Sequence, residues 1–194
     1  PRQRLWGGQR RNCLKLVSDP MTREYFPAML EGYGDSRPYR GKMAERVGSK
    51  LLADLEAAFD ACDVRDGATL SFHHHLRNGD AVLNMVLAVA EKRGLKDLHV
   101  AASSIFPVHE PLVGHIERGT VTQVSAGFIS GPVAEAISRG KLPKPAVLLT
   151  HGGRARAIAV GELPIDVAFV AAPAADPLGN ISGSIGPRAC GALG

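Results

Sequence analysis

The stretch Gly67-Ala-Thr-Leu-Ser-Phe-His-His-His-Leu-Arg-Asn-Gly-Asp80 decides how the rest of the chain is interpreted. Its apolar residues predict a strand over Thr69–Phe72 that stops at three consecutive histidines. A glycine turn and Asp80 then begin a long apolar helix. In an open parallel sheet, ligands bind in the crevice at the carboxyl ends of the strands. The histidines therefore stand where a site is expected.

The same arrangement recurs twice further along the chain. His151-Gly-Gly-Arg154 follows a predicted strand, Ala146–Thr150, and Gly127-Phe-Ile-Ser-Gly-Pro132 follows another, Val121–Ser125. Three polar or glycine-rich turns at one edge of one sheet predict a catalytic or binding edge rather than plain scaffold.

Short apolar runs alternate with helical patterns over the rest of the chain. Strands separated by helices imply right-handed βαβ crossovers, and their near-continuous apolar character indicates a sheet covered on both faces. The sequence therefore predicts an α/β fold with an open, mostly parallel sheet flanked by helices. The further predicted elements are helices Ala44–Ala61, Asp80–Arg93, His109–Arg118 and Pro132–Arg139 and strands Leu98–Ser103 and Ile165–Ala171; residues 154–161 fit a strand or a short helix.

Residues 1–43 have turn chemistry and no periodic pattern, so we expect an irregular N-terminal arm followed by one α/β domain over residues 44–194. The chain ends directly after a glycine-rich loop, and we expect the domain to continue past Gly194. Residues 1–50 hold 11 Lys and Arg against 5 Asp and Glu, but they contain neither a basic run nor a nucleic-acid reader motif. We expect the arm to pack on its own or a neighbouring subunit of an oligomer, and we expect no nucleic-acid partner.

Composition narrows the class of protein. The 194 residues are 45% hydrophobic and 22% charged, as in an ordinary globular protein. No apolar run reaches the roughly 20 residues needed to cross a bilayer, and no signal-peptide pattern opens the chain. Three scattered cysteines fit neither a disulfide framework nor a zinc knuckle. These features predict a cytoplasmic protein with no membrane partner.

Several motifs, in this order along the chain, resemble the alpha subunit of citrate lyase, which is its citrate CoA-transferase component. They cover most of residues 30–194 and are Leu30-Glu-Gly-Tyr-Gly34, Ser71-Phe-His-His-His75 with Gly79-Asp80, Gly131-Pro-Val-Ala-Glu-Ala-Ile-Ser-Arg-Gly140, His151-Gly-Gly-Arg154, Gly161-Glu-Leu163 with Ile165-Asp-Val-Ala-Phe169, and Asp176 through Gly179-Asn180. Family members are longer and have two related CoA-transferase-like halves. The resemblance therefore implies a CoA-transferase-like fold of which this chain is the first half. Ser130 is a departure, because many members carry an arginine in that turn.

The resemblance also implies an acyl exchange. Acetyl carried as a thioester on the prosthetic group of an acyl carrier protein is exchanged for citrate, which releases acetate and leaves a citryl thioester for a separate lyase subunit. The exchange passes through a mixed anhydride, so no covalent enzyme intermediate is implied. The implied partners are citrate, the acyl carrier protein, the lyase subunits of a multi-subunit complex and a second CoA-transferase-like half. The co-substrate is a CoA-like thioester, and no covalently bound cofactor is expected.

Such chemistry requires carboxylate binding and oxyanion stabilisation. Arginine binds a carboxylate through paired charge-assisted hydrogen bonds, and backbone N–H groups exposed at glycines or helix N-termini stabilise oxyanions. The predicted catalytic residues are His74, Arg77, Asn78, Gly79, Gly152 and Gly153. The predicted substrate-binding residues are Arg154, His151, His73, Ser103 and Ser104, and the predicted CoA or acyl-carrier contacts are Gly127, Gly131, Gly179 and Asn180.

Each of these residues could instead have a purely structural role. Alternation along the strand puts His73 and His75 on one side and His74 on the other, so we predict hydrogen bonding to substrate or to loop carbonyls and no metal site. The structural roles that compete with function elsewhere are a satisfied imidazole at His151, a surface ion pair for Arg154, a helix N-cap at Asp80, turn capping at Ser103-Ser104 and a tight turn at Gly179-Asn180.

Two functions remain open at this point. The first is the citrate CoA-transferase component of citrate lyase, with citramalate as an alternative acyl acceptor. We expect the isolated 194-residue chain to be inactive in that role if the second half is absent. The second is a non-catalytic ligand-binding or partner-binding module of the same fold, whose turns would bind phosphate rather than citrate.

Overall fold

The computed structural model describes residues 49–73, 78–172 and 174–182, together with a short strand at 16–17. Strands and helices alternate along most of these residues, as the sequence pattern predicts. In chain order the elements are β1 (Leu16–Val17), β2 (Leu51–Leu52), α1 (Leu55–Cys62), β3 (Thr69–His73), α2 (Val82–Lys92), β4 (Leu98–Ala102), a 3-10 turn (Pro107–His109), α3 (Leu112–Glu117), β5 (Val121–Ala126), α4 (Pro132–Ser138), β6 (Val147–Leu148), α5 (His151–Ala159), β7 (Val167–Val170), β8 (Ala174–Ala175) and β9 (Ile181–Ser182).

Five strands form one parallel sheet in the order β6-β5-β4-β3-β7. Because all five run in the same direction, their carboxyl ends share one edge of the sheet. The predicted open, mostly parallel α/β sheet is therefore confirmed. β1 and β2 form a separate parallel pair, and β8 and β9 form an antiparallel hairpin that the sequence pattern did not predict.

The two faces of the sheet differ in character. Leu70 and Phe72 of β3 belong to the main hydrophobic core, which α1 to α4 cover. Ser71 lies between them and faces the other side, where its hydroxyl contacts Arg154 of α5. A small second cluster of Ala101, Ala157 and Leu163 packs α5 against that side. One face is thus thickly apolar, whereas the α5 face carries polar side chains close to the sheet.

The helix predicted over Ala44–Ala61 is wrong at its start. Residues 44–48 lie outside the described residues, Leu51 and Leu52 pair with β1, and α1 begins only at Leu55. The Asp54 carboxylate accepts a hydrogen bond from the Ala57 amide and caps the helix there. In the sequence, apolar residues recur every fourth position on both sides of Leu55. The spacing therefore suggested one helix, although β2 and the Asp54 cap precede its actual start.

Several boundaries move by a few residues. The helix predicted over His109–Arg118 is divided into a 3-10 turn and the shorter α3. The strand predicted over Ala146–Thr150 contains only Val147–Leu148. Residues 154–161, which fitted either a strand or a short helix, are mostly helical, because α5 occupies most of that segment.

The predicted boundary between the arm and the domain, at 43/44, lies outside the described residues. Among the helices of the described part, none is long and apolar enough to cross a membrane.

Candidate active site at the carboxyl edge of the sheet

The turns that follow β3, β4, β5 and β6 lie side by side at one edge of the sheet. Backbone hydrogen bonds continue the ladder beyond the strands: the Ser103 amide donates to the Phe72 carbonyl (2.9 Å), the Gly127 amide to the Ser103 carbonyl (3.0 Å) and the Leu149 amide to the Ala126 carbonyl (3.0 Å). We call this edge the rim. It comprises His73 and the segments 78–80, 103–106, 127–131 and 149–153.

The turn between β3 and α2 carries four of the predicted site residues. His73 ends β3 half-buried, whereas the predicted catalytic His74 and Arg77 lie outside the described residues. Asn78 is exposed, and Gly79 adopts a φ of +80° that favours glycine. Gly79 is therefore required for the backbone course of this turn.

Asp80 lies two residues before α2. Its carboxylate accepts from the Val82 amide, at the first residue of that helix, at 2.8 Å. The N-cap predicted at Asp80 is wrong by one position, because Ala81 is the N-cap of α2.

The turns after β4 and β5 are packed backbone against backbone. Ser103 is buried, and a Cβ at Gly127 would lie 2.9 Å from its carbonyl oxygen and 3.2 Å from that of Leu149. Gly127 therefore allows three strand ends to approach closely, which is a structural reason for glycine at a predicted CoA contact. Ser104 follows half-buried on the same turn.

Gly131 is the N-cap of α4 with a φ of +68°, and a Cβ there would lie 3.0 Å from Pro107. Its glycine is thus explained by backbone conformation and close packing as well. Ser130, in the turn before it, donates its hydroxyl to the Ile105 carbonyl at 3.3 Å.

The predicted turn at 151–154 is in fact the first turn of α5, which corrects the sequence interpretation. The hydroxyl of Thr150 accepts from the Gly153 amide at 3.0 Å and caps the helix. Gly153 therefore has its amide occupied, and its predicted role as a free oxyanion donor is not supported by this geometry. The amides of His151 and Gly152 precede it in a helix N-terminus that favours anions. A Cβ at Gly152 would meet no atom within 4 Å in the described part of the chain, apart from the backbone of its own helix.

Arg154 points from α5 onto the polar face of the sheet. Its Nη2 donates to the Ser71 hydroxyl at 2.7 Å and to the Ala101 carbonyl at 3.1 Å. These two bonds match the two protons of Nη2, so the fork available to a carboxylate is incomplete. Nη1 keeps two N–H groups and Nε keeps one.

No carboxylate among the described residues forms an ion pair with Arg154, so the predicted surface ion pair is not seen there. Its Nε is buried and lacks a hydrogen-bond partner within the same residues. Burial lowers the pKa of the guanidinium, but arginine stays charged in proteins. Removing a cation partly from water without a counter-charge is unfavourable, and this favours an anionic partner for Arg154.

Gly179 and Asn180 form the turn of the β8–β9 hairpin. The Asp176 carboxylate accepts from the Asn180 amide at 2.8 Å and from its side-chain amide at 2.7 Å, and the Lys50 side chain packs on Gly179, whose φ is +90°. A tight turn accounts for both residues. Their predicted contact with the acyl carrier stays a prediction.

His99 and Ser125 form a second polar pair on the α5 face, with Nε2 and Oγ 2.8 Å apart. Burial, and to a smaller extent Lys144, lowers the pKa of His99. The imidazole is therefore held neutral, and it serves as a structural hydrogen-bond partner between β4 and β5.

Lowering the pH from 7 to 5 is expected to destabilise the fold in part through His99. Its folded pKa lies below its ordinary value of about 6.5, so the unfolded chain takes up a proton at higher pH than the folded chain does. The contribution of His99 is fully present above that ordinary value and is lost as the pH falls toward the folded pKa. Between pH 7 and pH 5, the free energy of unfolding measured with denaturant should fall less in His99→Gln than in the wild type. The same fall in both proteins would contradict this account.

Sequence reasoning missed two residues that organise the rim. His109 was placed only at the start of a helix, yet it is fully buried between two rim turns. Ser71 was quoted in a motif without a role, and it holds Arg154. The spacing from Phe106 to His109 was an available signal, because a side chain three residues after a helix N-cap commonly accepts the N-cap amide.

Among the described residues, no three or more His, Cys, Asp or Glu side chains are grouped to hold a metal ion. His74 and His75 lie outside those residues.

The fold and the rim define an open parallel α/β protein, in which the carboxyl ends of the strands are the expected place for a ligand site. The family described as citrate lyase, alpha subunit (CitF) matches residues 48–194, and the chain belongs to this family.

Individual relatives agree. The chain is 47% identical over 145 residues to the citrate lyase alpha chain of Escherichia coli strain K12, covering 75% of this chain and 28% of that protein. It is 40% identical over 157 residues to the citrate lyase alpha chain of Klebsiella pneumoniae, covering 81% of this chain and 31% of that one. The chain thus spans about three tenths of the length of these relatives.

A solved structure has the same fold. The alpha subunit of citrate lyase from Streptococcus mutans, in complex with citrate, superposes with a TM-score of 0.75 at 46% sequence identity. The match covers 79% of this chain and 30% of that chain.

Proposed function

We propose that the rim is the citrate-side half of an acyl-transfer site, in the citrate CoA-transferase component of citrate lyase. The observation that carries the proposal is Arg154, a half-buried cation behind the rim that has no carboxylate partner in the described residues. The Streptococcus mutans neighbour was solved with citrate, which supports a tricarboxylate as the missing anion. The proposed complex works in the cytoplasm with an acyl carrier protein, lyase subunits and a second CoA-transferase-like half.

The proposed reaction has two acyl-transfer steps. A citrate carboxylate attacks the acetyl carbonyl of the thioester, the carbon–sulfur bond breaks, and a citric–acetic anhydride and a thiolate form. The thiolate then attacks the citryl carbonyl, and acetate leaves as the citryl thioester forms. Each attack produces a tetrahedral oxyanion, so donors arranged in advance are needed twice.

The described residues divide between these tasks. Arg154 supplies charge and the N–H groups of Nη1 to a spectator carboxylate, and His151 stands beside it on the first turn of α5. The amide of Gly152 and the backbone at Asn78–Gly79 are the oxyanion donors. His73, Ser103 and Ser104 line the same edge and are assigned to substrate. Gly127 and Gly131 are assigned to the thioester arm, and the catalytic roles of His74 and Arg77 remain predictions from sequence.

A chimera tests this function directly. Residues 48–194 of this chain replace the matching segment of the Escherichia coli citrate lyase alpha chain, and formation of citryl thioester and acetate from citrate and acetyl thioester is measured. We expect transfer from the chimera and none from residues 48–194 alone, because the site needs a second half. Loss of transfer in a folded chimera would refute the proposal.

The choice of ligand is tested separately by calorimetry on the isolated chain. We expect heat of binding with citrate and none with sugar phosphates. Binding of sugar phosphate alone would instead favour the non-catalytic module, and tighter binding of citramalate would change the acyl acceptor.

Replacing Gly152 with alanine tests whether its open space belongs to a ligand. Among the described residues, nothing outside the adjacent backbone of α5 lies within 4 Å of the added Cβ, so we expect stability to be unchanged or to rise by about 0.5 kcal/mol. If substrate lies against this turn, the citrate Kd should rise roughly tenfold, which is about 1.4 kcal/mol. Calorimetry and denaturant unfolding give the two values.

Gly114→Ala is the matched control for this change. Gly114 lies within α3, and the atoms nearest the added Cβ belong to the end of the flexible Arg118 side chain. It should change stability by a similar amount and leave citrate binding as it is. Unchanged binding in Gly152→Ala would mean that no ligand touches this turn.

A further inference from the structure

His109 is a fully buried histidine between two turns of the rim. Its Nδ1 accepts from the Phe106 amide at 3.0 Å, and its Nε2 lies 3.0 Å from the Asp80 carbonyl oxygen. The first bond belongs to the turn after β4, and the second reaches the turn after β3. One imidazole thus joins two segments that are 29 residues apart in sequence.

The partners determine the tautomer of this ring. A backbone amide can only donate, so Nδ1 must be unprotonated, and a carbonyl can only accept, so Nε2 must carry the proton. The ring is therefore neutral and both of its nitrogens are engaged by backbone groups.

The ring also determines which residue can stand at 79. A Cβ at Gly79 would lie 2.8 Å from Cε1 and 3.1 Å from Nε2 of His109. Together with the φ of +80°, this contact excludes a larger residue unless the imidazole moves. The backbone at Asn78–Asp80 is thus packed directly against His109.

The turn that carries His109 is itself anchored to the helix after the β3 turn. The side-chain amide of Asn84 in α2 donates to the Val108 carbonyl at 2.8 Å. The turn that carries His109 is therefore fixed to α2 through Val108, and from this turn the imidazole reaches the backbone at Asp80.

We propose that His109 is a positioning residue that sets the backbone of Asn78–Asp80, and with it the amide donors that this turn presents to the oxyanion. This inference rests on the proposed acyl-transfer function. His109 does not touch substrate. It acts through the Asp80 carbonyl and through its contact with Gly79.

His109→Asn is the informative variant. The side-chain oxygen of asparagine can still accept a hydrogen bond from the Phe106 amide. The side chain is too short to reach the Asp80 carbonyl. His115→Asn is the matched control, because His115 is equally a buried histidine but lies on α3, where its Nδ1 is 3.2 Å from a carboxylate oxygen of Glu91. Both changes remove a buried imidazole, and only one faces the rim.

Two measurements separate positioning from stability. Amide hydrogen exchange of the chain should be at least tenfold faster at residues 79–82 in His109→Asn and unchanged there in His115→Asn. In the chimera with the Escherichia coli citrate lyase alpha chain, His109→Asn should lower kcat at least tenfold with little change in the KM for citrate. The reason is that the donors His109 positions act in the transition state. The ¹⁵N NMR signals of His109 in the wild type should also show a protonated Nε2 and an unprotonated Nδ1.

Equal exchange in the two variants, or a protonated Nδ1, would overturn the inference even if transfer occurs. A rise in the citrate KM without loss of kcat would also overturn it, since the residue would then act on substrate binding. If the wild-type chimera shows no transfer, the proposed function fails, whereas the exchange and NMR results still decide whether His109 holds the turn.

Discussion

Replacement of Arg154 with alanine is expected to raise the Kd for citrate by about a hundredfold, since a charge-assisted hydrogen bond is worth about 1.5–3 kcal/mol. The guanidinium is half-buried against Ser71 and Ala101, and no carboxylate of the described residues neutralises it. Binding of CoA thioester should change by less than threefold. Calorimetry with each ligand measures both effects.

Arg156→Ala is the matched control for this experiment. Arg156 lies two residues further along α5, but it is exposed and forms an ion pair with Glu162 at 2.7 Å. Its removal should leave citrate binding within twofold, as expected for a surface ion pair. Equal loss in the two variants would show that Arg154 is a scaffold residue rather than an anion site.

A stability loss in Arg154→Ala must be separated from a binding loss. Ser71→Ala keeps the guanidinium and removes one of its two anchors. We expect this variant to weaken citrate binding less than tenfold. A full hundredfold loss in Ser71→Ala would place the effect in the packing of α5 rather than in the charge of Arg154.

Phe72→Ala is expected to lower the free energy of unfolding by about 3–5 kcal/mol, which is the usual result of emptying a buried aromatic site. Phe72 is 1% exposed, and its ring stacks on Phe169 with centroids 5.5 Å apart. It lies in β3, the strand that leads to the rim. Denaturant unfolding followed by circular dichroism measures the change.

Phe128→Ala is the matched control for Phe72→Ala, because it removes the same side-chain atoms from a half-exposed position. Phe128 is 50% exposed in the turn after β5, and its ring contacts Phe106 at a centroid distance of 5.9 Å. We expect a loss below about 1.5 kcal/mol, because little apolar area leaves the core and one aromatic contact is lost. Similar losses in the two variants would contradict the assignment of the core to the α1–α4 face.

The parallel direction of the sheet strands could be predicted from sequence because it depends on local patterns. Apolar runs such as Leu98–Ala102 and Val121–Ala126 are each followed by a helical pattern. A helix between two strands is a crossover connection, and such connections join parallel strands. Glycines at helix ends gave further support, and Gly94, Gly119 and Gly140 all adopt positive φ after their helices.

The helix boundaries were less predictable. The spacing of Val47 and Leu51 continued the apolar stripe of α1, but Leu51 pairs with Leu16 in a strand contact between distant parts of the chain. His151 to Arg154 looked like a glycine turn, because two glycines disfavour a helix; the Thr150 cap and burial of Ala157 stabilise α5 there. In both cases the surrounding structure overcame the local preference.

The α/β class, the family likeness and the edge of the sheet that carries the polar turns could all be predicted from the amino-acid sequence. These features depend on periodicity, on glycine and on chain direction, all of which are local. The contact of Arg154 with Ser71 and the link that His109 makes between two turns became visible only in the folded structure, because these contacts span 83 and 29 residues of sequence. No local pattern records which side chain is removed from water or which backbone group it meets, since both depend on how distant elements pack together.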